Sequence, residues 1–141
     1  QNAGLNIRGV ETPEDQINAL FKIPMHVQWK ALYDVMIHPD TTVKGTSDIK
    51  TLMNIYRQQD LVKLNQYIMD ASLPVEIARE LIVVRNYNML ASIEDILPDQ
   101  ESVFFAVGAG HLGGDEGLIQ LLKNKGFQVN PVHYKWVTPT K

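Results

Sequence analysis

Apolar residues recur at helical spacing through most of the chain and form short continuous runs near its two ends. Steps of three and four residues prevail from about residue 13 to residue 97. Runs typical of strands occur at residues 5–11, 103–107 and 127–134. The pattern predicts a helix-rich α/β fold with a small, mostly parallel sheet.

The first predicted helix has clear signals at both ends. Thr12 can cap its start, Pro13 suits the first helical position, and Pro24 requires the helix to end before it. The apolar face expected for this helix consists of Ile17, Leu20 and Phe21.

Four more helices are predicted before the last strands, at 25–37, 46–57, 60–69 and 74–97. The longest carries an apolar stripe of Ala78, Ile82, Met89, Ile93 and Ile96. Arg85 falls inside that stripe.

The stretch 103–134 predicts a C-terminal β-α-β unit. Residues 103–107 form a continuous apolar run, which suits a strand covered on both faces. A glycine-rich corner at 108–114, a helix at 115–125 and a final strand at 127–134 follow. Asp115 and Glu116 are expected to cap the helix, and Gly126 to end it.

Composition narrows the class of protein. The chain has 141 residues, 45% of them hydrophobic and 21% charged, which is enough for one domain over residues 1–141. A net charge of −3 gives no electrostatic footprint for nucleic acid, and no apolar run is long enough to span a membrane. The absence of cysteine excludes disulfides and thiolate-bound metals.

The glycine-rich corner holds the first candidate for chemistry. His111 follows Gly108 and Gly110, and its imidazole could ligate a divalent metal or move a proton at the end of the predicted strand. A packing turn with an accidentally exposed histidine explains the pattern equally well. The spacing with Gly113 also fits a nucleotide-binding loop, but no acidic residue follows about twenty positions later.

Arg85 and Glu11 are the other candidates. A guanidinium on an apolar stripe must be paired if it is buried, and a snorkelling arginine at the edge of the stripe is the favoured alternative. Glu11 ends the first predicted strand. If that strand lies beside the one before His111, all three side chains could converge at one edge of the sheet. Otherwise Glu11 simply precedes the positive end of a helix.

Three stretches of the chain together resemble one family. They are GVETPEDQINALFKIP, VVRNYNML and VGAGHLGGDEGLIQLLKNKGFQVNPV, and they run in order from about Gly9 to Val132. They are similar to the central Glu-Thr segment, the Arg-Asn helix and the C-terminal Gly-x-x-His signature of the TraB/GumN (Tiki-like) family.

This resemblance implies a divalent-metal-dependent hydrolase, peptidase-like, with manganese or cobalt as the suspected metal and an exported or periplasmic location. The family's site combines two Gly-x-x-His motifs, a glutamate and an arginine. Carried over to this chain, His111 and Glu11 would bind the metal, Glu11 and Arg85 would serve catalysis, and Gly108 and Gly110 would form the loop.

One motif of the family is missing. No second Gly-x-x-His occurs, and Gly45 opens a similar stretch that carries Asp48 in place of histidine. We therefore expect an incomplete domain, the C-terminal portion of a longer protein, with a helical insertion at about 25–72. Its expected partners are the missing N-terminal half or, in a homodimer, a second copy. The alternative function is a non-catalytic binding module for a small ligand or peptide.

Overall fold

The computed structural model describes residues 7–37, 49–70 and 74–132. Helices account for 68% of the described residues, and none of these residues forms a β-strand. The predicted α/β fold, with its small parallel sheet and C-terminal β-α-β unit, is therefore wrong for the described part of the chain.

The described residues form helices in the following order along the chain. The first four are α1 (Pro13–Phe21), α2 (Met25–Ile37), α3 (Ile49–Arg57) and α4 (Leu61–Asp70). A continuous helical stretch then comprises α5 (Val75–Ala78), a π-helical segment (Arg79–Val84) and α6 (Arg85–Ile96). Two 3₁₀ turns (Leu97–Asp99 and Ala109–His111) and α7 (Leu118–Asn124) complete the order. Among the described residues, no helix is both long and apolar enough to cross a membrane.

The predicted boundaries of α1 are confirmed. Thr12 and Asp15 form a capping box, in which the Asp15 N–H donates to Thr12 Oγ1 at 3.1 Å. The Thr12 N–H donates in return to the Asp15 carboxylate at 2.8 Å. The expected apolar face of α1 is exposed, however, and its buried residue is Ala19.

The predicted strands fail because the described residues contain no partner strand for any of them. In 103–107 burial alternates, so Phe105 and Val107 pack on the core while Phe104 is 90% exposed. In the first run Val10 packs on the core, Ile7 is exposed, and Leu5 lies outside the described residues. Residues 127–132 form no strand, and 133–134 are not described. An apolar run gives a strand only where a neighbour accepts and donates its backbone hydrogen bonds.

The long helix contains a feature that the sequence did not predict. In the π-helical segment the backbone hydrogen bonds span five residues instead of the four of an α-helix. The extra residue in each hydrogen-bonded turn rotates the buried face between α5 and α6. Met89 and Ile93 are buried as predicted, whereas Ala78, Ile82 and Ile96 are only half-buried. The buried positions of the whole stretch are Ile77, Val83, Asn86, Met89, Leu90 and Ile93.

Two apolar clusters form the core of the described residues. The larger cluster joins α6 and α7 through Met89, Leu90, Ile93, Leu118 and Leu121. The smaller one consists of Ile23, Val27 and Ile77. The last helix, α7, begins three residues later than predicted, because Gly117 occupies the capping position and Asp115 and Glu116 do not cap. Its predicted end at Gly126 is confirmed by a φ of 91° there.

Candidate active site

A two-pronged ion pair links Glu11 to Arg85. Arg85 Nε donates to Glu11 Oε1 and Arg85 Nη2 to Glu11 Oε2, both at 2.8 Å. Arg85 Nη1 also donates to the Leu81 carbonyl oxygen at 3.1 Å. The two side chains are 7% exposed for Glu11 and 19% for Arg85. This planar pairing is the strong form of a carboxylate–guanidinium contact.

The helices explain why these two residues meet across 74 positions of sequence. Glu11 lies just before α1, which packs against the π-helical segment, and Arg85 is the first residue after that segment. The hydrogen bonds that Arg85 donates to Glu11 raise the pKa of the guanidinium, so Arg85 stays charged. Arg85 is therefore the paired arginine of the two alternatives, not a snorkelling one.

His111 is buried in the second 3₁₀ turn and makes a short contact with Asn86. Its Nδ1 lies 2.7 Å from Asn86 Oδ1. Asn86 Nδ2 in turn donates to the Glu116 carbonyl oxygen at 2.7 Å. Asn86 is 1% exposed, and its contact with His111 is buried, whereas its hydrogen bond to Glu116 is partly buried.

The surroundings favour a neutral His111. Burial lowers the pKa of the imidazole, and the positive charge of Arg85 lowers it further, while Glu11 acts in the opposite direction. His111 therefore lies within the electrostatic influence of the Glu11–Arg85 pair. The described structure brings the three predicted residues into one region, and their chemical roles stay predictions.

The glycines of the corner serve packing against α4. A Cβ on Gly113 would lie 2.9 Å from the Leu61 carbonyl oxygen, and one on Gly110 would lie 3.1 Å from Ile68 Cδ1. Gly114 has a φ of 88° and approaches Asn65. The alternative of a packing turn therefore fits the structure as far as the glycines are concerned. His111, however, is buried and hydrogen-bonded instead of exposed.

Metal binding needs more donors than the described residues bring together. In residues 7–37, 49–70 and 74–132, no group of three or more His, Asp or Glu side chains could hold an ion. Both oxygens of Glu11 already accept from Arg85, which leaves His111 as the clearest donor. Catalytic zinc sites use three protein ligands, so the described residues alone do not fit a complete metal site.

A groove lies next to the buried asparagine. It has a volume of about 290 Å³, and its lining includes Asn86, Arg79, Ile82 and the glycine loop 113–117. Asn86 was not among the candidate residues from the sequence, although it directly follows Arg85. The contribution of the Glu116 carbonyl has no signal in the sequence, because any residue carries that group.

Comparison with known proteins agrees with the resemblance found in the sequence. The model of the TraB/PrgY/gumN family matches residues 1–131. The chain belongs to this family. It is also 32% identical over 73 residues to a "Metalloprotease TIKI homolog" of Amphimedon queenslandica. That match covers 50% of this chain and 12% of the relative. No solved structure gave a significant match.

Membership of the TraB/PrgY/gumN family confirms the predicted family. This chain spans about an eighth of the length of the TIKI homolog, so the activity of that protein cannot be transferred whole. The segment starting at Gly45, where the second Gly-x-x-His was sought, lies outside the described residues.

Proposed function

We propose that this chain carries part of a hydrolytic, peptidase-like site formed by Glu11, Arg85 and His111. Family membership and the likeness to a TIKI metalloprotease homolog support a hydrolase acting on peptides. The main supporting observation is the partly buried Glu11–Arg85 ion pair beside a neutral, oriented histidine. Perturbed ionisable groups that cluster in this way are typical of functional sites.

Arg85 is proposed to stabilise negative charge on the substrate. A guanidinium has five N–H donors, and Glu11 and the Leu81 carbonyl use three of them. Two N–H groups of Arg85 are then left for an oxyanion. Because Glu11 holds the guanidinium in place, the positive charge is fixed before the substrate arrives.

His111 is proposed to act through Nε2, either as a proton acceptor or as a metal ligand. A divalent cation, manganese or cobalt, is the proposed cofactor of the complete site. When bound, it would lower the pKa of a water molecule. The further ligands would come from residues outside the described part of the chain, since His111 and Glu11 are too few.

Peptide cleavage by the full-length protein tests this proposal. The protein is stripped with a chelator, then assayed on a fluorogenic peptide library with manganese or cobalt added back. We expect cleavage only with metal, and its loss in His111→Ala. The matched control is His26→Ala, which removes an exposed histidine on α2.

Full activity of His111→Ala would refute the proposed role of His111. If no preparation cleaves peptides but peptides raise the melting temperature, the non-catalytic binding module is the better function. Binding of metal in a one-to-one ratio that is lost in His111→Ala would support the metal site independently of turnover.

A further inference from the structure

The orientation of Asn86 follows from its contact with Glu116. A backbone carbonyl oxygen can only accept a hydrogen bond, so the nitrogen of the Asn86 amide must face Glu116. The amide oxygen must then face His111 Nδ1 at 2.7 Å. A flipped amide would place two acceptors against each other at the Glu116 carbonyl, which is costly for the fully buried side chain of Asn86.

The tautomer of His111 follows from the orientation of Asn86. An amide oxygen accepts, so Nδ1 of a neutral imidazole must carry the proton. Nε2 then keeps its lone pair. Among the described residues no hydrogen bond to Nε2 is found, and the adjacent Cδ2 edge of the ring faces Gly108.

The glycine loop holds the carbonyl that orients Asn86. The Gly117 N–H donates to the Gly114 carbonyl oxygen at 3.1 Å and closes the loop around Glu116. A Cβ on Gly117 would lie 2.3 Å from the Gly113 carbonyl oxygen, which leaves room only for glycine. The conformation of the loop therefore determines where the Glu116 carbonyl points.

We propose that Asn86 is a positioning residue: held by the Glu116 carbonyl of the glycine loop, it fixes His111 as the Nδ1–H tautomer and keeps the lone pair of Nε2 available for chemistry. Such partners of a ligating or proton-accepting histidine set its ring orientation and tautomer. The tautomer itself follows from the hydrogen bonds of this chain. Its catalytic consequence rests on the proposed hydrolytic function.

Nitrogen NMR of the full chain tests the tautomer directly. The ring nitrogens of the ¹⁵N-labelled histidines are observed at neutral pH, and those of His111 are identified by their loss in His111→Gln. We expect a protonated Nδ1 and an unprotonated Nε2. A predominantly Nε2–H ring in the unchanged chain would overturn the proposal without any need for a variant.

Asn86→Leu tests the role of Asn86. Removing one buried hydrogen bond should shift the tautomer ratio about five- to tenfold away from Nδ1–H. Asn88→Leu, the same change at an exposed position two residues along α6, should leave the ratio unchanged. An unaltered ratio in a folded Asn86→Leu chain would overturn the proposal. If Asn86→Leu does not fold, the tautomer ratio is measured in the unchanged chain and in Gly117→Ala instead. An unaltered ratio in a folded Gly117→Ala would overturn the proposal that the glycine loop orients Asn86.

Turnover separates this inference from the proposed function. In an active full-length protein, Asn86→Leu should lower kcat by about 10- to 100-fold with little change in KM, as expected for a residue acting through His111. If no form of the protein is active, the proposed function fails, while the NMR result still confirms or refutes the role of Asn86.

Discussion

The α6–α7 region and the α1–α2 region both carry apolar residues at helical spacing, but these residues are buried in the first region and exposed in the second. The apolar stripes of α6 and α7 are buried against each other through Met89, Ile93 and Leu121. The apolar positions of α1 and α2 are largely exposed, among them Phe21 and Trp29. Helical spacing thus predicts which side of a helix is apolar, but it does not predict what covers that side.

The difference between the two regions matters for the site. Asn86 lies on α6 in the well-packed region, while Glu11 precedes α1 of the exposed one. The ion pair from Glu11 to Arg85 joins the two regions.

The largest effect is expected from matched leucine truncations. Leu121 is 6% exposed on α7, and Leu20 is 54% exposed on α1. Leu121→Ala should lower the free energy of unfolding by about 3 kcal/mol, because it leaves a cavity in the larger cluster. Leu20→Ala should change it by less than about 1 kcal/mol. Urea denaturation of both variants provides the comparison. Equal losses would mean that the α1 face is covered in solution.

Loss of the ion pair should have an effect of about the same size. Glu11→Gln removes the charge opposite a mostly buried guanidinium and should cost about 3 kcal/mol of unfolding free energy. The matched control is Asp95→Asn, because Asp95 pairs with Arg8 at 3.3 Å on the surface. That change should cost less than about 0.5 kcal/mol. If both changes cost the same, the link between the two regions does not depend on Glu11.

The sequence predicted local features better than tertiary ones. The Thr12 cap of α1, the bounds of α2 and the glycine stop of α7 depend on a few neighbouring residues and are confirmed. The strands depend on a distant partner that the described residues do not contain, and they were predicted wrongly. The π-helical segment has no local signal, and it displaced part of the predicted apolar stripe.

The candidate site shows the same difference between local features, which the sequence predicts, and tertiary contacts, which it does not. Arg85 was noticed because a charge interrupts an apolar stripe, and His111 because it follows two glycines. The residues alone nevertheless favour a snorkelling side chain for Arg85, because its partner Glu11 is 74 positions away in the sequence. The two hydrogen bonds of Asn86, to His111 and to Glu116, could not be predicted, because the second uses the main-chain carbonyl of Glu116.

Two glycines test the packing of the loop that supports the site. Gly117→Ala places a Cβ 2.3 Å from a backbone oxygen and should cost about 2 kcal/mol, since that oxygen cannot move without shifting the loop. Gly126→Ala meets no atom within 4 Å and should cost about 1 kcal/mol, the strain of its positive φ. Thermal unfolding of both variants measures the difference. A harmless Gly117→Ala would show that the loop is loosely packed.

The smallest effect is a pH dependence that arises from the buried histidine. In the unfolded chain His111 titrates near a pKa of about 6.5, and burial lowers this pKa in the folded chain. Above about pH 6.5 both states are neutral, and His111 contributes no dependence. As the pH falls below that value, the unfolded state binds the proton first, so stability decreases, by at most about 1.4 kcal/mol per pH unit. Urea midpoints at about pH 7.5 and 5.5 should therefore differ less in His111→Gln than in the unchanged chain, while His26→Gln controls for the loss of an exposed histidine. An identical pH dependence in His111→Gln would mean that the ring is solvated in the folded chain, and the packing around Asn86 would then be looser than that around Leu121.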